Sequence, residues 1–302
     1  MMIRIVPFVF VILWASGFIG AKFGLQHSEP LTLLSLRFAA NVVLFSGLLI
    51  VLRRRLPSLA LIGHSMVVGV LIHAAYLAGC FTAISLGMPA GLVSLLVGLQ
   101  PLLTAVILVS NGRARLASSQ WFGLLLGLIG ISLVLGGKLS WESDAGWWPA
   151  AGFVTLALLG MTLGTLYQKR FCANVDLIAG GLIQYFAAAL LLTPFALIFE
   201  TNQIEWTPTF MAALAWLVFG LSFTAILLLL VMVRLGEASK VAATFYLVPP
   251  VTALQAWIAF GETMSWQGGI GFVLSAIAVY LVSAKPTAMP TAKQTEMKPK
   301  LL

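Results

Sequence analysis

The sequence predicts an all-α polytopic membrane protein with ten transmembrane helices, arranged as a five-plus-five inverted repeat. Three observations lead to this fold class. Hydrophobic residues make up 61% of the 302 residues and charged residues only 9%, which is too little polar surface to cover a water-soluble globule. The apolar residues form stretches long enough to cross a bilayer. Helix-breaking residues of the first half recur in the same order in the second half.

Ten apolar segments of about 20 residues or slightly fewer follow one another along the chain. Short polar or glycine- and proline-containing breaks separate them, such as Leu86-Gly87-Met88-Pro89. The first segment begins like a signal peptide, but its counterpart in the second half is a mid-chain span, so we expect it to be retained. The predicted helices are residues 5–25, 31–52, 61–86, 90–109, 119–135, 147–167, 177–199, 210–233, 241–260 and 268–282.

The repeat is carried by glycine, proline and lysine, because matches of leucine or alanine arise easily by chance in apolar segments. We assign residues 1–137 to the first repeat and residues 138–285 to the second, and expect the two to form one domain. Since each half holds an odd number of spans, the halves must run in opposite directions across the membrane. The matched positions are Gly17 with Gly164, Lys22 with Lys169, Leu86-Gly87 with Leu235-Gly236, Pro101 with Pro250, and Gly112 with Gly261.

The distribution of charge predicts the orientation, because Lys and Arg stay on the cytoplasmic side of short loops during insertion. With both termini cytoplasmic, the arginines at 53–55 and the basic residues after the sixth helix fall inside. The polar tail 286–302 is expected to be disordered, with its lysines near anionic lipid. The acidic residues that fall outside are Glu29, Glu142, Asp144, Glu200, Glu205 and Glu262.

Several motifs resemble those of EamA-type transporters, members of the drug/metabolite transporter superfamily. The resemblance covers nearly the whole chain and implies a bacterial inner-membrane carrier, usually an exporter of amino acids, nucleotide-like metabolites or toxic small molecules. It also implies a central cavity lined by helices one, three, four, six, eight and nine. The motifs are Trp-Ala-Ser-Gly-Phe-Ile-Gly-Ala-Lys at 14–22, Arg37-Phe38, the segments 86–91 and 235–239, Pro101, Pro249-Pro250 and Gly261-Glu262; the first-half counterpart of the last pair, Gly112-Arg113, departs from the pattern.

The sequence does not support a nucleic acid, a metal or a cofactor as a partner. The net charge of +8 is scattered between apolar segments, without the basic groove or motif of a nucleic-acid binder. Cys80 and Cys172 occupy different surroundings and no Cys/His cluster accompanies them, so we expect no disulfide, metal or cofactor. The expected partners are a small-molecule substrate, membrane lipid and, for proton-coupled transport, protons. The expected assembly is a monomer or a homodimer.

His73 and Tyr76 are the leading candidates for substrate binding, because they lie three residues apart near the middle of the third helix and share one face. Polar groups in hydrocarbon usually face a cavity or another helix. The ordinary pKa of histidine is near neutrality, so His73 is also a candidate for proton coupling. A neutral imidazole bonded to a neighbouring helix is the alternative. The repeat places Ser222 at the position equivalent to His73, with Thr224 close by.

Further side chains complete the predicted path. Trp14 lies at mid-membrane, where it could stack on a substrate or pack against other helices. Prolines in the fourth and ninth helices free backbone carbonyls, which suits a gate or a packing kink. The further predicted substrate contacts are Ser16, Ser94, Gln100 and Tyr246, the predicted gating residues are Pro101, Tyr167, Pro249 and Pro250, and the predicted charged or polar path residues or anchors are Lys22, Arg37 and Asn41.

The two cations of the first two helices bear on the substrate. Lys22 and Arg37 could snorkel to the interface, pair with Glu29, or present positive charge to a carboxylate or phosphate. No Asp or Glu lies at the centre of a predicted span, so a lipophilic cation is a less fitting substrate.

These residues and the resemblance together predict a secondary transporter that exports a small metabolite, an amino acid or a related carboxylate-bearing compound, by alternating access. The driving force is either proton exchange through His73 or facilitated movement down a gradient. The alternatives are a facilitative channel or a lipid-linked metabolite flippase. An intramembrane serine enzyme, with Ser222 of Gly220-Leu221-Ser222 as nucleophile and His73 as base, is a remote alternative. We therefore expect no enzymatic activity.

Overall fold

Ten helical segments occur in the part of the chain that the computed structural model describes, which is residues 2–112, 117–136, 146–225, 228, 247–263 and 265–283. The prediction of an all-α polytopic protein is confirmed. The predicted tail 286–302, Arg113 and Tyr246 lie outside the described residues. The helices are α1 (Met2–Gly24), α2 (Pro30–Val51), α3 (Leu59–Ser85), α4 (Ala90–Ser110), α5 (Ser118–Gly136), α6 (Trp147–Phe171), α7 (Leu177–Phe199), α8 (Pro208–Thr224), α9 (Val248–Phe260) and α10 (Trp266–Ser283).

Local sequence signals fix where several helices begin and end. The Asp176 carboxylate caps α7 by accepting the N–H groups of Ile178 and Ala179 at 3.0 and 3.1 Å, as an N-cap residue does. Two glycines end helices of opposite repeats in the same way. Gly112 and Gly261 both adopt a left-handed backbone with φ of 64°, which glycine tolerates without a steric penalty.

The two repeats run in opposite directions, as α2 and its counterpart α7 show. The Glu200 carboxylate at the end of α7 accepts the N–H groups of Leu31 and Thr32 at the start of α2, at 2.8 and 2.7 Å. At the other end, Arg54 follows α2 and lies 3.8 Å from Asp176, which begins α7. Equivalent helices of the two halves are therefore antiparallel, and the predicted inverted repeat is confirmed.

The packing of the helices repeats this symmetry. The main packed pairs are α1 with α8 and α9, α3 with α6 and α7, α2 with α7, α4 with α6 and α9, and α5 with α10. Exchanging each helix for its counterpart reproduces these pairs, with α2 and α8 meeting as α7 and α3 do. The contacts match in detail. A Cβ added at Gly17 would lie 2.8 Å from Leu221, and one added at Gly164 would lie 2.5 Å from Ile72, so both crossings depend on glycine.

Helices α3 and α8 each contain a π-helical segment at the equivalent place. The segments are Gly69–Ala75 in α3 and Trp216–Ala225, which forms the second half of α8 and extends one residue beyond Thr224. In the second segment the Ser222 hydroxyl donates to the carbonyl of Leu217, five residues earlier, at 3.2 Å. Because π-helical turns are rare and concentrate at functional sites, their paired occurrence points to the middle of these two helices.

The outer faces are apolar, as a bilayer requires. Val43 on α2 and Ile198 on α7 are 73% and 72% exposed. Five of the described helices, α2, α3, α4, α6 and α7, are long and apolar enough to cross a membrane by length and composition. Exposed apolar surface on this scale fits a lipid-facing protein, and the chain is a membrane-embedded, multi-pass protein.

Candidate functional site

A cavity of about 710 Å3 lies among the helices of both repeats. Its described wall comes from α1, α2, α3, α6, α7 and α8. The resemblance implied walls from α4 and α9 in place of α2 and α7. Described residues of α4 and α9 instead pack on each other, with Gly91 against Ala253 and Gly98 against Pro249. Apart from the glycines and the residues near the connection between α6 and α7, the wall consists of Trp14, Phe18, Arg37, Ile72, His73, Tyr76, Leu77, Cys80, Met161, Thr165, Gln168, Leu177, Gln184, Tyr185, Leu221 and Ser222.

The cavity reaches the connection between α6 and α7, where Lys169, Cys172, Ala173, Val175 and Asp176 contribute to its wall. We call this the open end; it also holds Arg54. The opposite end, formed by the connections α1–α2, α3–α4, α7–α8 and α9–α10, is called the closed end. No described residue of those four connections lines the cavity.

Arg37 projects from α2 into the cavity wall although its side chain is almost fully buried, at 6% exposure. Its Nη2 lies 3.4 Å from the Ser222 hydroxyl, which also accepts from Asn41 Nδ2 at 3.0 Å. Within the described residues its Nε has no hydrogen-bond partner, and its guanidinium has no carboxylate within ion-pair distance. A buried guanidinium in that condition is suited to an anionic ligand.

His73 lies on the same wall, within the π-helical segment of α3. Its Nε2 is 3.2 Å from the Gln184 side-chain oxygen of α7. Because that oxygen can only accept, Nε2 carries the hydrogen in this arrangement. The ring centroid of His73 is 4.4 Å from that of Tyr185 and 6.4 Å from that of Phe38. The imidazole is therefore held by an amide and two rings and still borders the cavity.

The rest of the wall is mainly apolar. Aromatic and aliphatic side chains from four helices contribute to it: Trp14, Phe18, Ile72, Leu77, Met161 and Leu221. Such a wall, with a few placed polar groups, is the usual composition of a small-molecule site. It suits a ligand with an apolar body and one anionic head.

The closed end is held by carboxylates, most of them partly buried. Glu262, after α9, contacts Lys22 Nζ of α1 at 2.5 Å and accepts the N–H groups of Ala90 and Gly91 at 3.1 and 3.5 Å. The pair thus joins both repeats at the amino terminus of α4, where a negative charge is favourable. Lys22 also lies 4.5 Å from the ring of Phe260. We call these contacts the Glu262 cluster.

The connections α1–α2 and α7–α8 interlock beside this cluster. The Glu29 carboxylate accepts the N–H groups of Thr201 and Asn202 at 2.7 and 3.1 Å. His27 Nδ1 lies 2.9 Å from the Glu205 carboxylate. These contacts add to the bonds from Glu200 to α2, so the two repeats are tied together at the closed end.

Both halves of the chain match the model of the EamA-like transporter family, over residues 2–136 and 148–284. The chain belongs to this family. The two matches show the internal repeat, and the family places the protein among the membrane transporters of the drug/metabolite transporter superfamily, which are not enzymes.

Similar proteins align with this chain over most of their length. This EamA-like transporter is 28% identical over 282 residues to a "Probable amino-acid metabolite efflux pump" of Salmonella typhimurium, covering 90% of this chain and 91% of the relative. It is 26% identical over 294 residues to the "Uncharacterized inner membrane transporter YedA" of Escherichia coli, covering 94% and 93%. A solved crystal structure of a protein has the same fold, with a TM-score of 0.62 at 19% identity, covering 93% of this chain and 96% of the other.

The structure of this EamA-like transporter brings five of the residues selected from sequence to the cavity wall. They are Trp14, Arg37, His73, Tyr76 and Ser222. Asn41 lies directly behind them, bonded to Ser222. Thr224 points elsewhere, since it is exposed and its hydroxyl donates to the carbonyl of Phe219 at 2.9 Å.

Other predicted site residues lie away from the described cavity wall. Ser16 accepts from Trp216 Nε1 at 2.8 Å. Ser94 donates to the carbonyl of Gly91 at 2.8 Å. Gln100 donates to Thr165 at 2.9 Å and so supports a wall residue. Lys22, expected to snorkel, to pair with Glu29 or to meet an anion, pairs with Glu262 at the closed end.

The predicted gating residues fall at helix breaks and at the open end. Pro101 follows an interruption at Gly98–Leu99 in α4, and Pro249 and Pro250 stand in the first turn of α9. Tyr167 donates to or accepts from His64 Nδ1 at 2.9 Å and packs on Phe171, with ring centroids 4.6 Å apart. A gating role for these four residues stays a prediction.

The sequence analysis missed the α7 side of the cavity. Gln184 and Tyr185 both line it and both contact His73. A polar signal was present, since Gln184 stands near the middle of a span of otherwise apolar residues. Thr165 on α6, which also lines the cavity, was missed as well.

Proposed function

We propose that this EamA-like transporter is an inner-membrane secondary transporter that exports a small carboxylate-bearing metabolite, an amino acid or a related compound, by alternating access. The observation that carries the proposal is Arg37, a buried guanidinium on the wall of a transport-sized cavity without a carboxylate partner in the described part of the chain.

The chemistry of the guanidinium supports a carboxylate. A buried, unpaired charge is unfavourable, and its removal from water is offset only by an opposite charge with good hydrogen bonds. Arginine offers parallel N–H donors that match a carboxylate, and these charge-assisted bonds are stronger than neutral ones. A carboxylate-bearing substrate therefore gives Arg37 the partner that the described residues do not provide.

The relatives support the metabolite class. The Salmonella typhimurium protein and an Escherichia coli protein, 26% identical over 283 residues, both bear the name "Probable amino-acid metabolite efflux pump". A carboxylate is the group that amino acids share with related compounds such as 2-oxo acids. The names also support export as the direction.

The shape of the cavity supports alternating access. It reaches one end of the protein, while carboxylates tie the two repeats together at the other. The open end carries Arg54, Lys169 and Arg170, so the positive-inside rule assigns it to the cytoplasm. The proposed cycle then starts from a state open to the cytoplasm, and the closed end argues against a continuous channel. Proton exchange through His73 or simple facilitated movement drives it.

Arg37→Gln tests the proposal in the full-length protein reconstituted in liposomes. Saturable counterflow of labelled amino acids and 2-oxo acids is expected for the unaltered protein. The substitution should weaken apparent affinity by about tenfold to a hundredfold, because a hydrogen bond to a charged group contributes about 1.5–3 kcal/mol. The variant should remain folded, since it removes a buried charge that has no carboxylate partner among the described residues.

Arg54→Gln is the matched control, since Arg54 is half exposed at the open end and 3.8 Å from Asp176. It should change affinity less than about twofold, as exposed pairs contribute little. Carboxylate transport by Arg37→Gln at the unaltered affinity would contradict the proposal, and so would flux that never saturates with concentration.

A further inference from the structure

We infer that the cavity takes its substrate as a monoanion with an apolar body, such as a 2-oxo acid or an N-acylated amino acid, and that its described residues give the ammonium group of a free amino acid no dedicated partner. The inference rests on the proposed function, because Arg37 is the partner of the carboxylate in both. Beyond the proposed function, it specifies the net charge of the substrate and states that the cavity does not recognise an amino group.

The placement of the acidic residues is the first argument. Among the described residues, Glu29, Glu200, Glu205 and Glu262 all lie at the closed end and all have partners there. Asp176 is the only described acidic residue on the cavity wall. The other four acidic residues of the sequence, Glu142, Asp144, Glu237 and Glu296, fall in predicted connections or in the tail and not in the middle of a span.

Asp176 is poorly placed to hold an ammonium group beside Arg37. It sits at the rim of the open end, where its Oδ1 accepts two backbone N–H groups as the cap of α7. Its Oδ2 faces Arg54 at 3.8 Å. An α-ammonium group is two bonds from its carboxylate carbon, so a carboxylate bound at Arg37 keeps the ammonium deep in the cavity.

The neutral groups around Arg37 also favour an anion. The Gln184 oxygen already accepts from His73, and the Ser222 hydroxyl donates to the carbonyl of Leu217. Asn41 has a side-chain oxygen without a partner among the described residues. However, Asn41 is fully buried and is not part of the described cavity wall. An ammonium group at this depth would therefore meet the Arg37 charge without a compensating carboxylate.

The apolar side chains of the cavity wall account for the rest of the substrate. Trp14, Phe18, Ile72, Leu77, Met161 and Leu221 offer apolar surface. A branched or aromatic side chain would bury there with a gain in proportion to its area. Arg37 thus matches the carboxylate of the substrate and the apolar wall matches its side chain. The amino group is the part of a free amino acid for which the described wall has no matching group.

Net charge has a consequence for energetics. Export of a monoanion moves one negative charge out of an inside-negative cytoplasm in each cycle, whichever step carries it. A potential of about 100 mV then sustains a concentration ratio of roughly fiftyfold for the anion, without a coupled ion. A zwitterion carries no net charge and gains nothing from the potential.

Three ligands with the same branched body test the inference on the full-length protein in liposomes: leucine, 4-methyl-2-oxopentanoate and isopentylamine. Each competes against labelled 4-methyl-2-oxopentanoate. We expect the oxo acid to bind at least tenfold more tightly than leucine, the amine not to compete, and Arg37→Gln to lose the preference. Equal or tighter binding of leucine would overturn the inference while leaving a carboxylate transporter intact.

A potassium gradient with valinomycin supplies the second readout. An inside-negative potential should accelerate efflux of the oxo acid from liposomes and leave leucine efflux unchanged, while Arg54→Gln behaves as the unaltered protein. Oxo acid efflux that ignores the potential would overturn the inference. If neither carboxylate binds and Arg37→Gln has no effect, the proposed function itself fails.

Discussion

At the residue scale, the side chains that matter are polar groups in the middle of apolar helices. Arg37, His73 and Ser222 stand out in the sequence for this reason alone, and the structure places all three on one cavity wall. Their partners did not stand out. The pairing of Lys22 with Glu262 joins residues 240 positions apart, and only the packing of α1 against the end of α9 decides it.

His73 carries a prediction about pH. The ordinary pKa of histidine is about 6.5, and His73 bonds to Gln184 on the cavity wall. If a proton crosses through this ring, His73→Gln should abolish the pH dependence of transport between about pH 5.5 and 7.5 and leave binding of the carboxylate within about threefold. Counterflow measured across that range checks it.

His64→Gln is the control for that experiment, because His64 bonds to Tyr167 at the open end and does not line the described cavity wall. It should retain the pH profile of the unaltered protein. An unchanged profile in His73→Gln would remove His73 from proton coupling and leave facilitated movement as the mechanism.

At the element scale, apolar length and helix breakers predicted most helix ends to within about four residues. The predicted end of the eighth helix at 233 and the predicted start of the ninth at 241 lie outside the described residues. Proline and glycine act locally, so their effects are readable, as at Pro30, which begins α2, and at Gly261, which ends α9. The π-helical segments could not be predicted. Apart from His73, the segment Gly69–Ala75 has the sequence of an ordinary apolar helix. The wide turns form together with contacts to α6 and α7, which are distant in sequence.

The closed end offers a prediction about its own stability. Glu262→Gln keeps the shape of the side chain but removes the charge that Lys22 and the start of α4 share. Because the pair is partly exposed, we expect the substitution to reduce the stability of the closed end by about 1 kcal/mol. This change should increase the fraction of molecules open at that end roughly fivefold. An impermeant maleimide applied from the closed-end side should label Leu77→Cys faster, in a chain with Cys80 and Cys172 replaced by Ser.

Glu205→Gln is the comparison for the closed end. Glu205 also pairs there, with His27, but its side chain is 72% exposed, so its loss should leave labelling of Leu77→Cys within about twofold. Equal labelling of the two variants would show that the Glu262 cluster does not hold the closed end shut.

At the scale of the whole molecule, orientation is the property to be measured. Ser58 lies between α2 and α3 at the open end, and Gln203 lies between α7 and α8 at the closed end; both are exposed. In the same cysteine-replaced chain, an impermeant maleimide on intact cells should label Gln203→Cys and spare Ser58→Cys until the cells are opened. The reverse pattern would invert the assignment of the open end to the cytoplasm.

The global architecture was the most predictable property of this protein. Composition demands a bilayer, and the number of spans in each repeat fixes their relative direction, so neither depends on side-chain detail. The cavity wall was less predictable. Whether α2 and α7 or α4 and α9 border the space depends on close contacts such as that of Gly91 with Ala253, which a single sequence does not reveal.

The π-helical segment of α3 changes how mutations along that helix should be read. Residues before Gly69 and after Ala75 follow ordinary α-helical turns, but the wide turns between them shift the angular phase of one half against the other. A helical wheel drawn through Leu59–Ser85 at a constant angle per residue therefore assigns the residues of one half to the wrong face of the helix. Scanning mutagenesis of α3, and likewise of α8, is best plotted as two separate wheels that meet at the cavity.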